Sequence, residues 1–285
     1  MIIHDGVRKK ERIIEKPRFF PDQCIHWALM LQLQPILLKG MYDYCCASVP
    51  GKGLHYMKNH IENILVRDRK FTKYILIIDI MKFYDSIDLN ILKIKLSRKI
   101  KDKKTLRLIF LILSNREKGL PIGFFTSQWL ANFFLQDFDH WIKEKKKVKH
   151  YFRYMDDCAF FSNNKKKLHQ LRKDIEEYLS TINLKIKPNW KVMKVEVFTF
   201  CGFKFHRGYT VLKSSNAIRI KRRINRISKK AILLPKDASA VISYWGFLSN
   251  TNSGKFINKN VKSKIKLKKC KEVISNASRK QYKTF

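Results

Sequence analysis

Three aspartates carry the strongest chemical signal in this chain. Asp79 closes an apolar run, Tyr74-Ile75-Leu76-Ile77-Ile78, and Asp156 and Asp157 stand side by side 77 residues later. Magnesium prefers hard oxygen ligands of this kind and keeps much of its water, so two or three carboxylates suffice to hold it. Two such ions about 4 Å apart can activate an attacking oxygen and hold departing phosphates. Adding a nucleotide to a 3′-hydroxyl needs both roles. The backbone carbonyl of Ile80, beside Asp79, is a further oxygen of the right type.

Carboxylates that share metal ions must converge from rigid elements, and adjacent strands of one sheet provide that. The run ending in Asp79 is short, β-branched and flanked by charge, which predicts a buried strand. Residues 149–162 alternate bulky side chains around Met155-Asp156-Asp157, which predicts a hairpin with both carboxylates at its tip. Turns favour Asp for their own reasons. A doublet framed by Tyr154-Met155 and Cys158-Ala159-Phe160-Phe161 is nevertheless poorly explained as solvated decoration.

The remaining elements follow from periodicity. Residues 1–20 are basic and extended, and residues 22–45 have helical spacing with a break expected before Pro35. Pro50-Gly51-Lys52-Gly53 is a turn, two helices follow near 88–100 and 104–114, and residues 119–123 form a loop. A helix over 126–143 is expected to be capped by Thr126 or Ser127. Another, over 164–182, aligns Leu168, Leu171, Ile175, Leu179 and Ile182 on one face. Short strands fit 184–187, 195–205 and 208–213, and from Ser214 onward the chain reads as basic helix. Composition shifts there, so a lobe boundary is expected near residue 213.

Charge narrows the partners. Lys plus Arg number 61 against 23 Asp plus Glu, a formal net charge of +38 on 285 residues. That excess repels itself unless a polyanion lies against it, and nucleic acid gains affinity by counterion release for each phosphate neutralised. Six cysteines show no zinc-site spacing, no secretory leader is visible, and no uncharged apolar run reaches the ~20 residues of a bilayer span. The expectation is a cytoplasmic, nucleic-acid-associated protein with reduced thiols and no membrane partner.

Four segments, in order along the chain, resemble the motifs of reverse transcriptases. Asp79-Ile80-Met81-Lys82-Phe83-Tyr84-Asp85-Ser86-Ile87 is similar to their first catalytic motif, and Tyr154-Met155-Asp156-Asp157 to their catalytic hairpin. Gly119-Leu120-Pro121-Ile122-Gly123-Phe124-Phe125-Thr126-Ser127-Gln128 resembles the second palm motif, and Phe200-Cys201-Gly202-Phe203 the primer-grip turn. Many relatives have Gln where this chain has Ile122, and Ser-Pro where it has Ser127-Gln128. That variant resembles the enzymes of diversity-generating retroelements in phages and bacteria. Those enzymes copy a template-repeat RNA with frequent errors opposite adenine. Phe124-Phe125 departs from the Asn-Leu common there.

The resemblance implies an α+β right-hand polymerase fold. Fingers would occupy residues 1–72, a palm of antiparallel sheet backed by helices 73–212 with an inserted fingers segment at about 95–120, and a helical thumb with basic tail 213–285. No RNase H, endonuclease or maturase domain is expected after the thumb. Asp79, Asp156 and Asp157 would hold two Mg²⁺ ions, or Mn²⁺ as a substitute, with Ile80 lending its carbonyl. Tyr84 would be the steric gate against a ribose 2′-hydroxyl, or a core tyrosine. Ile122, Gly123 and Gln128 would line the nucleotide site, or Gln128 would merely help cap its helix, with Lys52 reaching the triphosphate from the fingers. Of Lys185, Lys187 and Lys191, one would protonate the pyrophosphate, and Lys187 represents that set. Gly202, Lys213, Arg219, Lys221, Arg222 and Arg223, with Arg226 nearby, would hold template and primer.

The implied partners are a structured template RNA, its cDNA copy, dNTPs and a small, basic, helical, oligomeric accessory protein. Two rival readings stand beside this one. A related enzyme of phage defence or of the retron type is one, and a basic RNA-binding scaffold with a decayed site is the other.

Overall fold

The computed structural model describes residues 2–5, 10–114 and 118–282. The chain divides into two compact units, Met1–Met57 with Asp68–Val195, and Lys58–Arg67 with Glu196–Phe285.

The first unit opens with an antiparallel pair, β1 (Ile2–Asp5) and β2 (Lys10–Ile13), followed by helix α1 (Cys24–Leu38). Helix α2 (Leu54–Arg67) begins in this unit and ends in the other. Then come β3 (Tyr74–Asp79), α3 (Phe83–Ser86), α4 (Leu89–Lys99), α5 (Lys103–Leu113), α6 (Phe125–Phe134) and α7 (Gln136–His140). Strands β4 (His150–Tyr154) and β5 (Asp157–Ser162), helix α8 (Lys165–Thr181) and strand β6 (Lys191–Lys194) complete it.

Among the described residues these form a four-stranded sheet in the order β4-β5-β3-β6, antiparallel throughout. The β-branched run of β3 earns a central place, with Ile75, Leu76 and Ile78 buried. Helix α8 packs on β3, β5 and β6 through Leu168, Leu171, Ile175 and Leu179, the spacing of one helical face. Lysine-rich helices start where a short polar side chain accepts their free N–H groups. Asp88 does so for α4, Asp102 for α5 and Asn164 for α8.

Several sequence expectations need correction. Helix α1 runs through Pro35 to Leu38. The proline lies in the last turn and is exposed, as is Leu31 four residues before it, while Leu33 and Leu37 hold the turn in the core. The 126–143 helix starts a residue earlier and kinks at Leu135, where Phe134, Leu135 and Phe138 are all fully buried and packing on every side overrides the one-faced pattern. Thr126 and Ser127 do not cap it. Both sit buried inside the first turn, and their hydroxyls have no hydrogen-bond partner among the described residues. Residues 184–187 contribute one isolated bridge, Ile80 with Ile186, and the strand β6 lies further on.

The second unit holds a three-stranded antiparallel sheet, β7 (Val197–Phe200), β8 (Phe203–His206) and β9 (Tyr209–Leu212). Helices α9 (Ser214–Ser228), α10 (Pro235–Ser249), α11 (Gly254–Ile257) and α12 (Leu267–Tyr282) follow, with α10 packed on α12. Helix α9 buries Ile220, Ile224 and Ile227 and exposes Arg219, Arg222 and Arg226. Among the described residues no helix is long and apolar enough to cross a membrane.

Candidate active site

Asp79 is the last residue of β3 and Asp157 the first of β5, and the two are direct cross-strand partners. Partners on an antiparallel pair present their side chains on one face of the sheet, with Cβ atoms about 5 Å apart. Asp156 lies in the two-residue loop Met155-Asp156 between β4 and β5, where Tyr154 pairs with Asp157. Its carbonyl accepts the Ile80 N–H at 3.1 Å. In extended backbone the N–H and C=O of one residue point the same way, so the Ile80 carbonyl also faces the hairpin.

The hairpin loop is bent against preference. Met155 has a φ of 55° while Asp156 does not share that sign, the pattern of a type II′ turn, whose first position normally belongs to glycine. A non-glycine residue there costs about 1–3 kcal/mol and persists only where its surroundings hold it. The Tyr84 hydroxyl donates to the Met155 sulfur at 3.6 Å from α3. Burial, and after it the negative charge of Asp156, pushes the Tyr84 phenol up to about 12.

Of the three lysines left open by sequence, the structure brings Lys187 to Asp79. Its amide N–H donates to the Asp79 carbonyl at 2.8 Å, and its ammonium donates to both Asp79 carboxylate oxygens at 2.5 Å. Lys185 contributes its backbone carbonyl, which accepts the Met81 N–H, and Lys191 lies opposite Ile77 in β6.

The loop before α6 rests on α3. Leu120 donates to the Tyr84 carbonyl at 2.8 Å, and a side chain on Gly119 would meet the Asp85 backbone at 2.9 Å. Gly123 is tighter still. Its φ is +116° and a Cβ there would sit 2.2 Å from the Glu15 carbonyl, while Glu15 donates to the Ile122 carbonyl. The residues just before α1 thus account for this glycine without a nucleotide. The half-buried Ile122 side chain lies between these contacts.

Other candidates have protein partners. Gln128, exposed on α6, accepts from the Ser48 hydroxyl at 2.8 Å and caps nothing. Lys52 donates to the Asp43 carbonyl at 2.7 Å. In the second unit, Cys201 and Gly202 both have positive φ and form the tight turn between β7 and β8. The Gly202 carbonyl accepts from the Lys213 amide at 3.0 Å and the Asn216 side chain at 3.3 Å. Arg219, Lys221, Arg222 and Arg226 are exposed on α9, whereas Arg223 turns to the buried Asp237 at 2.6 Å. Sequence reasoning missed the tie from Lys187 to Asp79 and the strained loop at Met155. Neither leaves a local signal, because one depends on the bridge at Ile80 and the other on a residue with no left-handed preference.

Among the described residues no three His, Cys, Asp or Glu side chains already converge as a ligand set. The oxygens on hand, carboxylates in register on adjacent strands with a backbone carbonyl beside them, suit hard divalent ions such as Mg²⁺ or Mn²⁺.

Residues 7–205 match the reverse transcriptase (RNA-dependent DNA polymerase) family. No curated protein matches the chain. Among solved structures, telomerase from Candida tropicalis in complex with a TWJ fragment of telomeric RNA is 14% identical with a TM-score of 0.52, over 97% of this chain and 53% of that one. Apo telomerase from Candida tropicalis, truncated from the C-terminal domain, gives 14%, 0.50, 72% and 53%. Telomerase from Candida albicans in complex with a TWJ fragment of telomeric RNA gives 11%, 0.50, 85% and 47%. The chain spans about half the length of these telomerases, and at such identities the likeness is one of fold, the right-hand polymerase fold of helices and antiparallel sheet. With the family match covering more than two thirds of its sequence, this chain belongs to the reverse transcriptase (RNA-dependent DNA polymerase) family.

Proposed function

We propose that the protein is an RNA-directed DNA polymerase that copies a template-repeat RNA into cDNA with errors concentrated at template adenines. The observation that carries the polymerase reading is the register of Asp79 against Asp157, with Asp156 on the adjoining loop. Asp79, Asp156, Asp157 and the Ile80 carbonyl would hold two divalent ions, which when bound supply activation of the 3′-hydroxyl and neutralisation of the departing phosphates. The primer 3′-hydroxyl gives its proton to solvent as its oxygen bonds to the α-phosphorus, and the bond from that phosphorus to the oxygen it shares with the β-phosphate breaks, releasing pyrophosphate. Lys187, within reach of Asp79, is the group of this chain suited to protonate the pyrophosphate. Tyr84 stands under Met155, where its ring would block a ribose 2′-hydroxyl.

The adenine-error reading is supported by Ile122. An apolar side chain in place of an amide removes a hydrogen-bonded check on the new pair, and polar checks discriminate best. The net charge of +38 supports RNA as the partner that neutralises the protein, with a small basic accessory protein joining through that RNA. The test is DNA synthesis on an RNA template with dNTPs and Mg²⁺, compared with the Asp156→Asn, Asp157→Asn double variant, with the products sequenced. Loss of synthesis in the variant and errors opposite adenine support both levels. Accurate synthesis removes the template-repeat assignment and keeps the polymerase. No synthesis by the native protein, even with its RNA and accessory protein, removes both.

A further inference from the structure

Behind the Met155-Asp156 loop lies a buried ion pair that the chemistry above does not use. Arg153 on β4 and Asp139 on α7 are both fully buried. The Arg153 Nε and Nη2 donate to the two Asp139 oxygens at 2.8 and 2.5 Å. Its Nη1 donates to Asn132 Oδ1 at 3.1 Å and to the Met155 carbonyl at 3.2 Å, and Nη2 also reaches the Cys45 sulfur at 3.1 Å. Every N–H direction of the guanidinium is therefore used. Asp139 in turn accepts the Tyr151 hydroxyl at 2.8 Å, and Asn132 donates to the Ala47 carbonyl at 2.7 Å.

A buried ion pair is poor evidence for stability, since an apolar replacement of similar volume is often as good. What this pair does that an apolar pair cannot is grip one carbonyl of a strained loop. The backbone of Arg153 is pinned as well, its N–H to the Tyr44 carbonyl at 3.0 Å and its carbonyl to the Cys46 N–H at 2.9 Å. The bond to Met155 thus runs from a fixed strand to the loop on which Asp156 and Asp157 stand.

The geometry points to Arg153 as a positioning residue: held by Asp139 and Asn132, it fixes the Met155 carbonyl and with it the orientation of Asp156 and Asp157 toward metal ions. The inference rests on the polymerase reading of those aspartates. Groups that orient metal ligands from behind typically change affinity or activity by about 10- to 100-fold when removed.

The test compares the native protein with Arg153→Lys and with the charge-balanced triple variant Arg153→Met, Asp139→Leu, Tyr151→Phe. The triple variant leaves no buried charge or hydroxyl unpaired, and thermal melting shows whether it folds. Equilibrium Mn²⁺ binding, followed by electron paramagnetic resonance, and the Mg²⁺ dependence of single-nucleotide extension are then measured. The expected result is a folded triple variant with Mn²⁺ affinity and turnover each down about 10- to 100-fold. Template–primer affinity stays unchanged, and Arg153→Lys is intermediate. A folded triple variant with native metal affinity and turnover overturns the inference. If the triple variant fails to fold, Arg153→Lys decides in the same way, because it keeps the charge and loses the fork. Should the native protein bind Mn²⁺ but make no DNA, the polymerase reading fails, and the Mn²⁺ comparison still decides whether Arg153 positions the loop.

Discussion

Lys187 grips Asp79 twice, its ammonium on both carboxylate oxygens at 2.5 Å and its amide on the backbone carbonyl at 2.8 Å. A divalent ion bound by Asp79 must draw that carboxylate from a cation of the chain itself. Lys187→Met is therefore expected to lower the Mg²⁺ concentration giving half-maximal extension several-fold. If the ammonium also protonates the pyrophosphate, the single-turnover rate falls by about 100-fold or more. The pair is partly exposed, so stability changes by only ~0–1 kcal/mol. Extension rates across a Mg²⁺ series separate the roles, and an unchanged rate at saturating Mg²⁺ would remove the general-acid assignment.

As the proposed gate, Tyr84 would act through its ring. With its phenol pushed up to about 12, it is neutral at every practical assay pH and its charge does no work. Tyr84→Phe is expected to keep the preference for deoxynucleotides over ribonucleotides, and Tyr84→Ala to lose about tenfold or more of it. The ratio of kcat/KM for dGTP and GTP on one template measures this. A Tyr84→Ala protein with native discrimination would place the gate elsewhere.

The parts of the site readable in sequence are those written in local pattern. The strand ending at Asp79 and the hairpin with Asp156 and Asp157 at its tip follow from a short apolar run and from alternation. The choice among Lys185, Lys187 and Lys191 was not readable, because it depends on the bridge from Ile80 to Ile186. Gly123 reads as a loop glycine, but its reason, the Glu15 carbonyl, lies more than a hundred residues away. Pro35 misleads because its helix position, exposed and near the end, matters more than its identity.

Helix α9 divides its charges between solvent and an internal ion pair. Arg219, Lys221 and Arg222 are exposed, while Arg223 shares Asp237 with Lys230. Replacing the first three by Ala is expected to reduce the slope of log binding constant against log salt by about 2–3 for a template–primer duplex, with little change in Tm. Arg223→Ala is expected to do the reverse, lowering Tm and leaving the slope nearly native. Fluorescence-anisotropy titrations at several salt concentrations, with melts alongside, distinguish the two. Equal salt slopes in the triple variant and native protein would remove α9 from the nucleic-acid face.

Asp68 ties the turn before β3 to β4. Its hydrogen bond from Lys149 at 2.6 Å lowers its carboxyl, burial works against that, and His150 at 2.8 Å adds to the lowering, with a result of about 2 against an ordinary 3.8. A depressed acid stabilises the fold above its unfolded value, and the contribution is lost as pH falls through 3.8 toward 2. Allowing for the exposure of Lys149, it is worth about 1 kcal/mol. Asp68→Asn should therefore melt below the native protein at pH 7, and the gap should close as pH drops below 4. A gap that stays constant to pH 3 would mean that the carboxylate charge plays no part.

Ile122 gives the sharpest test of the error-prone reading. Its carbonyl accepts from the Glu15 amide, and Gly123 beside it holds a backbone conformation that leaves no room for a side chain against Glu15, so a substitution at 122 is expected to change the side chain on an unchanged loop. Ile122→Gln restores an amide able to donate and accept, and a hydrogen-bonded check rejects a wrong partner more strongly than apolar contact does. The expected outcome is a drop in misincorporation opposite template adenine of about tenfold, equivalent to about 1.4 kcal/mol of discrimination. Errors opposite the other three bases should change less, because the native protein already copies them well under this reading. Sequencing of cDNA made from one RNA by both proteins measures all four bases at once. An equal fall at every base would make Ile122 a general fidelity residue, and no fall at adenine would separate the adenine errors from this side chain altogether.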